Sequence, residues 1–429
     1  MSKNEINDKK IKQLSIYIHI PFCKSKCNYC SFYSIPLSKE GNIFNDLKNL
    51  KNNGKARKAY GNNKRLEYNL NGNNPRNYSE MLKSELEAMS DRFNLGGSFI
   101  SSVYFGGGTP GIMPAGFFKN VLEFINENFL IAGDAEITVE INPESGNFEK
   151  LSALKSLGVN RLSIGAQSFN DDVLKTAGRI HNKKDIFNVV NNAKRIGFKN
   201  ISLDLIIGLP GQTETIFYND IRQTLDMEPG HISGYMLSVE KNTKFYKTCN
   251  EKNEKNRLTF ISEENTAKYY EILCKLLVEN GYIHYEISNF AKNRHESRHN
   301  LNYWKRGEYL GLGPSASSFL KTEDGKEIRK TNVADFDKYA GNILQKTGNE
   351  YEADLLEILT EKDKINEEIF LSLRTNSGIN AKRLTEWVSP VIISSFIGEG
   401  LMQIKRNENI VLTLKGILLS SEIFARIIV

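Results

Sequence analysis

Short apolar segments alternate with amphipathic ones along more than half of the chain. The apolar segments are rich in β-branched residues and five to nine residues long, which is typical of strands. The amphipathic segments repeat apolar residues about every 3.6 positions, which is typical of helices. We predict strands at Ile16–Ile20, Ile100–Phe105, Ala135–Ile141, Arg161–Gly165, Ile201–Ile207 and His231–Val239. The predicted helices between them are Ala115–Phe129, Phe148–Leu157, Lys184–Ile196 and Glu214–Met227.

This alternation predicts the fold class, an α/β protein with a parallel sheet and crossover helices. Six strands in one run suit a partial (β/α)6 barrel of the TIM-like kind, although a doubly wound open sheet has the same local pattern. Polar residues follow the carboxyl ends of the predicted strands, where barrels of this kind carry their active sites. We therefore expect the barrel.

The second half of the chain changes in character twice. A Lys- and Asn-rich break at Lys247–Arg257 precedes a helix predicted at Glu263–Asn280. Lys321–Lys330 is charged and turn-like, and we expect a linker there. Glu357–Val429 then reads as a small, mainly helical domain of winged-helix-like shape, with a short strand at Asn409–Leu412 and a last helix at Leu414–Ile428.

The net charge of +6 comes from one segment. Residues 36–77 hold nine Lys or Arg against three Asp or Glu, together with twelve Asn and few large apolar residues. Such a segment buries too little apolar surface to offset its ordering entropy, so we expect a disordered surface insertion. The rest of the chain is neutral, which argues against a nucleic-acid partner, although a basic patch for an acidic partner stays open.

Cysteine usage and hydropathy suggest a cytoplasmic protein. The segment that begins at Met1 has no apolar core typical of a signal peptide, and no apolar run reaches the length that spans a bilayer. Five cysteines, an odd number with three clustered, argue against a disulfide framework. Peripheral contact with a membrane stays open.

The clustered cysteines are Cys23, Cys27 and Cys30, in a C-x3-C-x2-C pattern. Three thiolates can bind three irons of a cubane cluster and leave the fourth iron open for another ligand, whereas structural clusters normally use four cysteines. A zinc knuckle is the alternative, but it requires a fourth Cys or His at short spacing. Cys249 and Cys274 lie too far along the chain for that, and Cys274 falls on the apolar stripe of a predicted helix.

A glycine loop and several polar residues follow the predicted strands. The loop Gly106-Gly107-Gly108-Thr109-Pro110 comes directly after the second strand, and its glycines allow a ligand to approach the backbone closely. A glycine loop alone is weak evidence. Carboxylates can bind an ammonium group or ribose hydroxyls, and Arg can bind a carboxylate. The polar candidates at the strand ends are Glu140, Gln167, Arg179 and Asp204.

Together these motifs resemble the radical S-adenosylmethionine (SAM) superfamily, and within it the coproporphyrinogen III dehydrogenase-like branch. The resemblance rests on the runs at 17–23, 106–110, 158–169, 178–179 and 204–210 and on Glu140. It implies a radical SAM partial barrel and a [4Fe-4S] cluster that binds SAM and cleaves it to a 5′-deoxyadenosyl radical. It implies cluster ligation by Cys23, Cys27 and Cys30. The SAM contacts that it implies are Tyr17, Gly107, Glu140, Gln167, Arg179 and Asp204, with Tyr29, Gly108 and Thr109 at positions that contact a second SAM in the dehydrogenase.

Two features divide this branch. The dehydrogenase has a further cysteine, which is not a cluster ligand, where this chain has Phe32. Residues 299–304 read His-Asn-Leu-Asn-Tyr-Trp and resemble the HNxxYW motif of the heme chaperones called HemW. The resemblance implies heme contacts from His299, Tyr303 and Trp304, because an imidazole can coordinate or flank a porphyrin iron beside a flat aromatic surface. The alternative is a His-Asn turn fixed by core aromatic residues.

These observations lead to a functional hypothesis with two alternatives. We expect a protein that binds heme and transfers it to apo heme proteins of respiration, with the cluster and SAM as further cofactors. One alternative is the enzyme that decarboxylates coproporphyrinogen III to protoporphyrinogen IX, and the other is a radical SAM protein that modifies nucleic acid. The predicted organisation is an N-terminal strand and cluster loop at 1–35, the insertion at 36–77, the barrel at 78–320, a linker at 321–356 and a C-terminal domain at 357–429.

Overall fold

The structure is a computed structural model that describes residues 12–37, 75–250, 260–345 and 355–428 of the 429-residue chain. The predicted insertion therefore lies almost entirely outside the described residues, as does most of the break after Lys247. The strands of the first half are β1 (Gln13–Ile20), β2 (Phe22–Cys23), β3 (Ile35–Pro36), β4 (Phe99–Gly107), β5 (Leu130–Ile141), β6 (Arg161–Gln167), β7 (Asn200–Ile207) and β8 (His231–Met236). The later strands are β9 (Ile283–Glu286), β10 (Asn289–Ala291), β11 (Tyr309–Leu312), β12 (Ser317–Lys321), β13 (Glu327–Thr331), β14 (Leu355–Ile358), β15 (Ile379–Asn380), β16 (Met402–Ile404) and β17 (Asn409–Leu412).

Six parallel strands follow one another in chain order, β1-β4-β5-β6-β7-β8. A doubly wound sheet would reverse its order at a switch point. No reversal occurs among these six described strands, so the sheet is the partial (β/α)6 barrel that the sequence predicts. Each predicted strand is confirmed within a few residues, except that β5 begins earlier, at Leu130, and β8 ends at Met236 rather than Val239.

Helices connect the strands and cover the outside of the barrel. Helix α5 shows how their ends are fixed: Asn182 and Asp185 form a capping box at its start, and Gly197 ends it in the left-handed conformation (φ 94°). The helices up to the barrel's end are α1 (Pro75–Arg92), α2 (Ala115–Asn128), α3 (Phe148–Ser156), α4 (Asp171–Thr176), α5 (Lys183–Ile196), α6 (Glu214–Asp226), α7 (Lys244–Cys249), α8 (Glu263–Glu279) and α9 (Arg298–Trp304). None of the described helices combines the length and apolar character needed to cross a membrane.

Alternation along each strand gives the barrel two different faces. On β1, Ile16 and Ile18 are fully buried against the helices, while Tyr17 faces the inside of the barrel. Side chains on the inside of the barrel are mostly polar or aromatic, which is unusual for a small barrel. This polar interior contains the residues that could carry chemistry.

The sheet continues beyond β1, and its strand β13 lies where the sequence predicts a linker. Strand β11 pairs parallel with β1, and β12, β13 and β14 follow as antiparallel neighbours. The interpretation of Lys321–Lys330 as a turn-like linker is therefore wrong, because these residues form the turn and most of the second strand of a hairpin. Their charges are paired: Glu327 contacts Arg306 and Lys321, and Lys330 lies 3.8 Å from the buried Glu85.

The last part of the chain has its own small core. It contains a three-stranded sheet of order β15-β17-β16 and the helices α11 (Glu361–Leu373), α12 (Ala381–Thr385), α13 (Pro390–Gly398), α14 (Leu414–Leu418) and α15 (Ser420–Ile427); α10 (Phe336–Gln345) precedes it. The predicted strand Asn409–Leu412 is confirmed. The single last helix is wrong, because two helices meet at Leu419, whose backbone (φ −104°, ψ 20°) is not helical.

Candidate functional site

The three clustered cysteines lie on a loop above the carboxyl end of the barrel. Cys23 ends β2, Cys27 and Cys30 follow in the loop, and β3 pairs with β2 to close it. The Asn28 side chain donates to the Thr176 carbonyl at 2.8 Å, which anchors the loop to the turn after α4. All three thiols are free and line one cavity of about 450 Å³.

The arrangement of these thiols fits a cluster better than a single metal ion. A zinc ion needs its ligands around one centre, whereas a cubane binds each cysteine to a different iron. Among the described residues no three His, Cys, Asp or Glu side chains converge closely enough to bind one ion. Arg179 Nη1 donates to Cys27 Sγ at 3.3 Å and Thr109 Oγ1 to Cys23 Sγ at 3.5 Å, so both sulfurs have donors suited to a thiolate.

The glycine loop forms the wall of the cavity next to Cys23. At Gly108 a Cβ would lie 2.7 Å from the carbonyl oxygens of Ile20 and Phe22, so only glycine fits there. Gly107 has φ +108°, and its N–H donates to Glu140 Oε2 at 3.1 Å. The loop therefore presents backbone directly to the space beside the cysteines.

Glu140 lies at the end of β5 with its carboxylate inside the barrel. Its Oε1 accepts from the Tyr104 hydroxyl at 2.8 Å and its Oε2 from Gly107 N. Burial raises the pKa of Glu140 to about 7, although both hydrogen bonds favour the ionised form. A carboxylate desolvated in this way attracts a cation strongly, and the ammonium group of an amino acid is such a cation.

Arg179 and Gln167 lie on the far side of the same cavity. Arg179 Nη2 donates to the Gly165 carbonyl at 2.9 Å and to Asn142 Oδ1 at 2.8 Å, which fixes the guanidinium beside Cys27. Gln167 ends β6 in the left-handed conformation (φ +66°), which is uncommon outside glycine and is found at functional sites. Both side chains line the cavity.

Asp204 lies deeper in the barrel, on β7. Three serine hydroxyls donate to it, from Ser233 at 2.7 Å, Ser163 at 3.0 Å and Ser202 at 3.2 Å. Burial raises its pKa, and these hydrogen bonds oppose the increase. The fully buried Arg161 lies close enough to stabilise both Asp204 and Glu136, and its Nε has no partner among the described residues. Arg161 thus places a second buried positive charge in the barrel interior, besides that of Arg179.

Eleven of the fifteen predicted site residues line this one cavity. They are Cys23, Cys27, Tyr29, Cys30, Gly107, Gly108, Thr109, Glu140, Gln167, Arg179 and Asp204. Three residues that the sequence did not single out join them: Asn142 links Thr109 to Arg179, Tyr104 orients Glu140, and Ser163 reaches Asp204. Asn142 follows Glu140 by two positions, and strand alternation could have found it.

The other four predicted residues lie elsewhere. Tyr17 does not line the cysteine cavity, because it is three residues before the end of β1 and its ring lies lower in the barrel, 6.2 Å from that of Tyr104. Tyr17, Tyr303 and Trp304 line a second cavity of about 490 Å³, called the groove below. The groove lies on the inner side of β1, β11, β12 and β13 and is bordered by α11. Its other lining residues are His19, Phe32, Tyr33, Arg306, Tyr309, Ser315, Ser317, Phe319, Arg329, Glu367 and Leu371.

His299 lines neither cavity. It is 1 % exposed, its ring stacks on Tyr104 at 5.0 Å, and burial lowers its pKa to about 3. Its Nδ1 is 2.8 Å from Ser102 Oγ and its Nε2 is 2.7 Å from the Tyr303 hydroxyl, so both ring nitrogens are occupied. For His299 the structure favours the alternative interpretation, a histidine fixed by core aromatic residues. Its neighbours Tyr303 and Trp304 do reach the groove.

Phe32 borders both cavities. It is 66 % exposed, and it stands where the dehydrogenase pattern has a cysteine. Its position between the two cavities places its ring beside a ligand bound in either one.

Comparisons with known proteins show the family to which the chain belongs. Residues 17–227 match the family model of the radical SAM superfamily. The chain is 35 % identical to heme chaperone HemW of Bacillus subtilis over 96 % of its own length and 98 % of that protein. It is 32 % identical to heme chaperone HemW of Escherichia coli over 76 % of its length and 75 % of that protein. This chain belongs to the HemW family of radical SAM proteins.

A solved structure supports the fold of this HemW family member. Coproporphyrinogen III oxidase (HemN) from Escherichia coli, described as a radical SAM enzyme, superposes with a TM-score of 0.73 at 22 % identity. The match covers 97 % of this chain and 90 % of that one. At this identity the likeness concerns the fold. Membership of the radical SAM superfamily implies a [4Fe-4S] cluster and SAM.

Proposed function

We propose that this protein is a heme chaperone, which binds heme and transfers it to apo heme proteins. The observation that carries the proposal is the name of its relatives, heme chaperone HemW, at 35 % identity over nearly the whole of both chains. The groove beside Tyr303 and Trp304 supports it, because its volume of about 490 Å³ is in the range of ligand sites, about 300–1,000 Å³.

Cys23, Cys27 and Cys30 would hold the cluster, with one iron left for SAM. When bound, the cluster supplies an electron to the sulfonium of SAM. In this chain Arg179 and Thr109 donate to two of the cysteine sulfurs, which stabilises thiolates and favours a reduced cluster. The cysteine loop and Phe32 would restrict the access of water to this side of the cavity.

The polar residues of the cysteine cavity would hold SAM. Glu140 would bind its ammonium group, the backbone at Gly107 would lie beside it, and the Arg179 guanidinium would bind its carboxylate. Asp204 and Gln167 would contact the ribose hydroxyls. Tyr29, Gly108 and Thr109 would bound the remaining space, where a second SAM binds in the dehydrogenase. Tyr17 would not contact SAM. It would instead position the stacked ring of Tyr104, which donates to Glu140.

Heme would occupy the groove. Trp304, Tyr309 and Phe319 supply flat apolar surface, and the Tyr303 and Tyr309 rings meet edge to face at 4.5 Å. The buried Nε1–H of Trp304 has no acceptor among the described residues, so a propionate or water in the groove could satisfy it. Arg306 and Arg329 are held there by Glu367, which leaves part of each guanidinium for carboxylate binding.

The proposed partners are heme and, as acceptors, apo heme proteins of respiration, with a cytoplasmic site of action. The neutral charge of the chain outside residues 36–77 gives no reason to add nucleic acid. Contact with a membrane surface would be through an acceptor or a peripheral patch.

The experiment that tests the proposal compares heme with coproporphyrinogen III. The cluster is reconstituted without oxygen, and parallel samples receive SAM, a reductant and either tetrapyrrole. Heme binding is followed by the Soret band, and porphyrin products are separated by chromatography. We expect stoichiometric heme binding and unchanged coproporphyrinogen.

Conversion of coproporphyrinogen to protoporphyrinogen would contradict the proposal and make the protein the decarboxylating enzyme. The Phe32→Cys variant is the matched control, since it restores the dehydrogenase pattern in the loop. Continued heme binding without turnover in that variant would show that the loop residue alone does not decide between the two functions.

A further inference from the structure

The groove contains few side chains that can bind a heme iron. Proteins bind heme iron through histidine, cysteine, methionine or tyrosine. The described residues that line the groove include no cysteine or methionine. Those of the right type are His19 and the four tyrosines Tyr17, Tyr33, Tyr303 and Tyr309.

The two histidines near the groove already use both ring nitrogens. His19 Nε2 is 2.9 Å from the Tyr33 carbonyl, which can only accept, so Nε2 donates and Nδ1 accepts from the Tyr17 hydroxyl at 3.1 Å. His299 does not line the groove at all. An iron bound by either ring would require the ring to leave its partners and turn.

Hydrogen bonds behind the groove fix the state of His299 and Tyr303. Ser102 Oγ donates to Ser15 Oγ at 2.8 Å, so it accepts from His299 Nδ1 at 2.8 Å. His299 Nε2 therefore accepts from the Tyr303 hydroxyl at 2.7 Å. The phenol donates its only proton into the protein, and no residue in the described part of the chain donates to its oxygen.

Among the other three tyrosines, two have hydroxyl groups that already accept. Tyr33 accepts from Phe336 N at 2.7 Å, and Tyr309 faces the Arg329 guanidinium. Tyr17 resembles Tyr303 in donating to a histidine, but over the longer distance of 3.1 Å. Tyr303 also lies next to Trp304 and Tyr309, the flat surface that a porphyrin ring would cover.

We propose that the Tyr303 oxygen, as a phenolate, would bind the iron of ferric heme and that His299 is the positioning residue behind it. This inference rests on the proposed heme function. The Fe–O bond would form and the O–H bond of Tyr303 would break, its proton leaving as water with the hydroxide that ferric heme carries in aqueous solution, and the iron would stay ferric; His299 Nε2, 2.7 Å from the Tyr303 oxygen, would orient the phenol. The histidine of the HNxxYW motif then acts through the tyrosine of the same motif, four residues later and one turn away on α9.

The test is the spectrum of the ferric heme complex. Wild-type protein and the variants Tyr303→Phe, Tyr303→His, His299→Ala, Tyr17→Phe and Tyr309→Phe are loaded with hemin and examined by resonance Raman and electron paramagnetic resonance. We expect iron-phenolate vibrations in the wild type and in the Tyr17 and Tyr309 variants. Tyr303→Phe should lose them, and Tyr303→His should replace them with an imidazole-type spectrum. His299→Ala should keep them while binding heme about tenfold more weakly.

Several outcomes would overturn the inference. One is a wild-type complex without phenolate vibrations, which decides the matter whether or not any variant folds. Others are vibrations that persist in Tyr303→Phe or disappear in Tyr17→Phe, and an imidazole-type wild-type spectrum that His299→Ala abolishes. A wild type that binds no heme at all would contradict the proposed function instead.

Discussion

At the scale of single residues, Glu140 has a buried carboxylate that accepts hydrogen bonds from Tyr104 and Gly107. If it binds the ammonium of SAM, Glu140→Gln should weaken SAM binding about 10- to 100-fold, because a hydrogen bond to a charged group contributes about 1.5–3 kcal/mol. Equilibrium binding of SAM to the reconstituted protein measures this. Glu240→Gln is the control, since Glu240 lines the same cavity but is exposed. Equal losses of SAM affinity in both variants would contradict the assignment of Glu140 to the ammonium group.

The same carboxylate gives SAM binding a dependence on pH. Burial raises the pKa of Glu140 to about 7, so the free protein carries the neutral acid below that pH and the carboxylate above it. SAM affinity should therefore fall about tenfold per pH unit as the pH decreases below about 7, and level off above it. Titrations between pH 5.5 and 8.5 check this, a range chosen to bracket that pKa. In Glu140→Gln this component should disappear.

Cys23, Cys27 and Cys30 line the cavity, whereas Cys274 lies in an apolar core. Cys27→Ser should remove most of the iron and sulfide from the reconstituted protein, because serine is a poor ligand for a cluster. Cys274→Ser is the control: Cys274 is 5 % exposed in an apolar core, where the sequence placed it, and burial raises its pKa to about 12. Iron and sulfide analysis should show a full cluster in that variant. A deficit there equal to that of Cys27→Ser would contradict the assignment.

At this scale the sequence predicts residues with a motif and misses residues without one. The cysteines, the glycine loop and Glu140 were found because their types and spacing are specific. Arg161 was missed because a single arginine at the start of a strand carries no signal before the barrel brings Glu136 and Asp204 to it. The sequence assigns His299 to heme because it belongs to the HNxxYW motif, whereas the turn of α9 directs its side chain into the barrel interior.

At the scale of elements, Asp220 on α6 connects two of the turns that carry the site. It is 1 % exposed and accepts from Phe169 N at 2.7 Å, Ser168 Oγ at 2.8 Å and Gln212 Nε2 at 3.2 Å. These donors belong to the turns after β6 and β7. Asp220 thereby fixes the turns that follow Gln167 and the end of β7, and residues of both strand ends line the cavity.

Removing this acceptor should destabilise the protein. Asp220→Ala leaves buried donors without a partner, each at a cost of about 1–3 kcal/mol, so we expect the free energy of unfolding to fall by about 2–5 kcal/mol. Urea denaturation measures the change. Asp226→Ala, at the exposed end of the same helix, should change it by about 0.5 kcal/mol or less. Similar losses in the two variants would contradict this role.

Element boundaries were predicted well where one face of the element is apolar. All six barrel strands and their helices follow from that pattern. The β12–β13 hairpin was missed because its charges looked solvated, although Arg306 and Glu85 elsewhere in the chain pair with them. The break at Leu419 was missed because Leu414–Ile428 is apolar at helical spacing on both sides of it.

At the scale of the whole molecule, a buried ion pair between Arg374 and Glu286 helps to join the C-terminal part to the barrel. Arg374 Nε lies 2.8 Å from Glu286 Oε2, and the Glu286 side chain is fully buried. The Arg374 guanidinium also stacks over Trp304 at 4.2 Å. The neighbouring backbone bonds Ile287 N to the Arg374 carbonyl and Asn376 N to the Tyr285 carbonyl extend the contact. The groove wall is therefore tied to the C-terminal part.

Loss of this pair should destabilise the protein. Arg374→Gln leaves Glu286 buried without its cation, so the free energy of unfolding should fall by about 3–5 kcal/mol. Arg383→Gln is a close control, because Arg383 also pairs with glutamates and stacks on a tryptophan, Trp387, at 4.0 Å, but is 48 % exposed. It should lose about 1 kcal/mol or less. Thermal and urea unfolding that ranked the two variants in the opposite order would contradict this account.

As a heme chaperone, this protein should give up its heme to an acceptor, and heme transfer is the most direct test of the proposed function. Protein loaded with heme is mixed with an apo b-type cytochrome, and the transfer rate is compared with the rate of loss to a heme scavenger that makes no specific contact. We predict transfer that is faster than loss to the scavenger and that rises with acceptor concentration before reaching a plateau. A transfer rate equal to the scavenger rate at every acceptor concentration would contradict the claim that this chain is a chaperone.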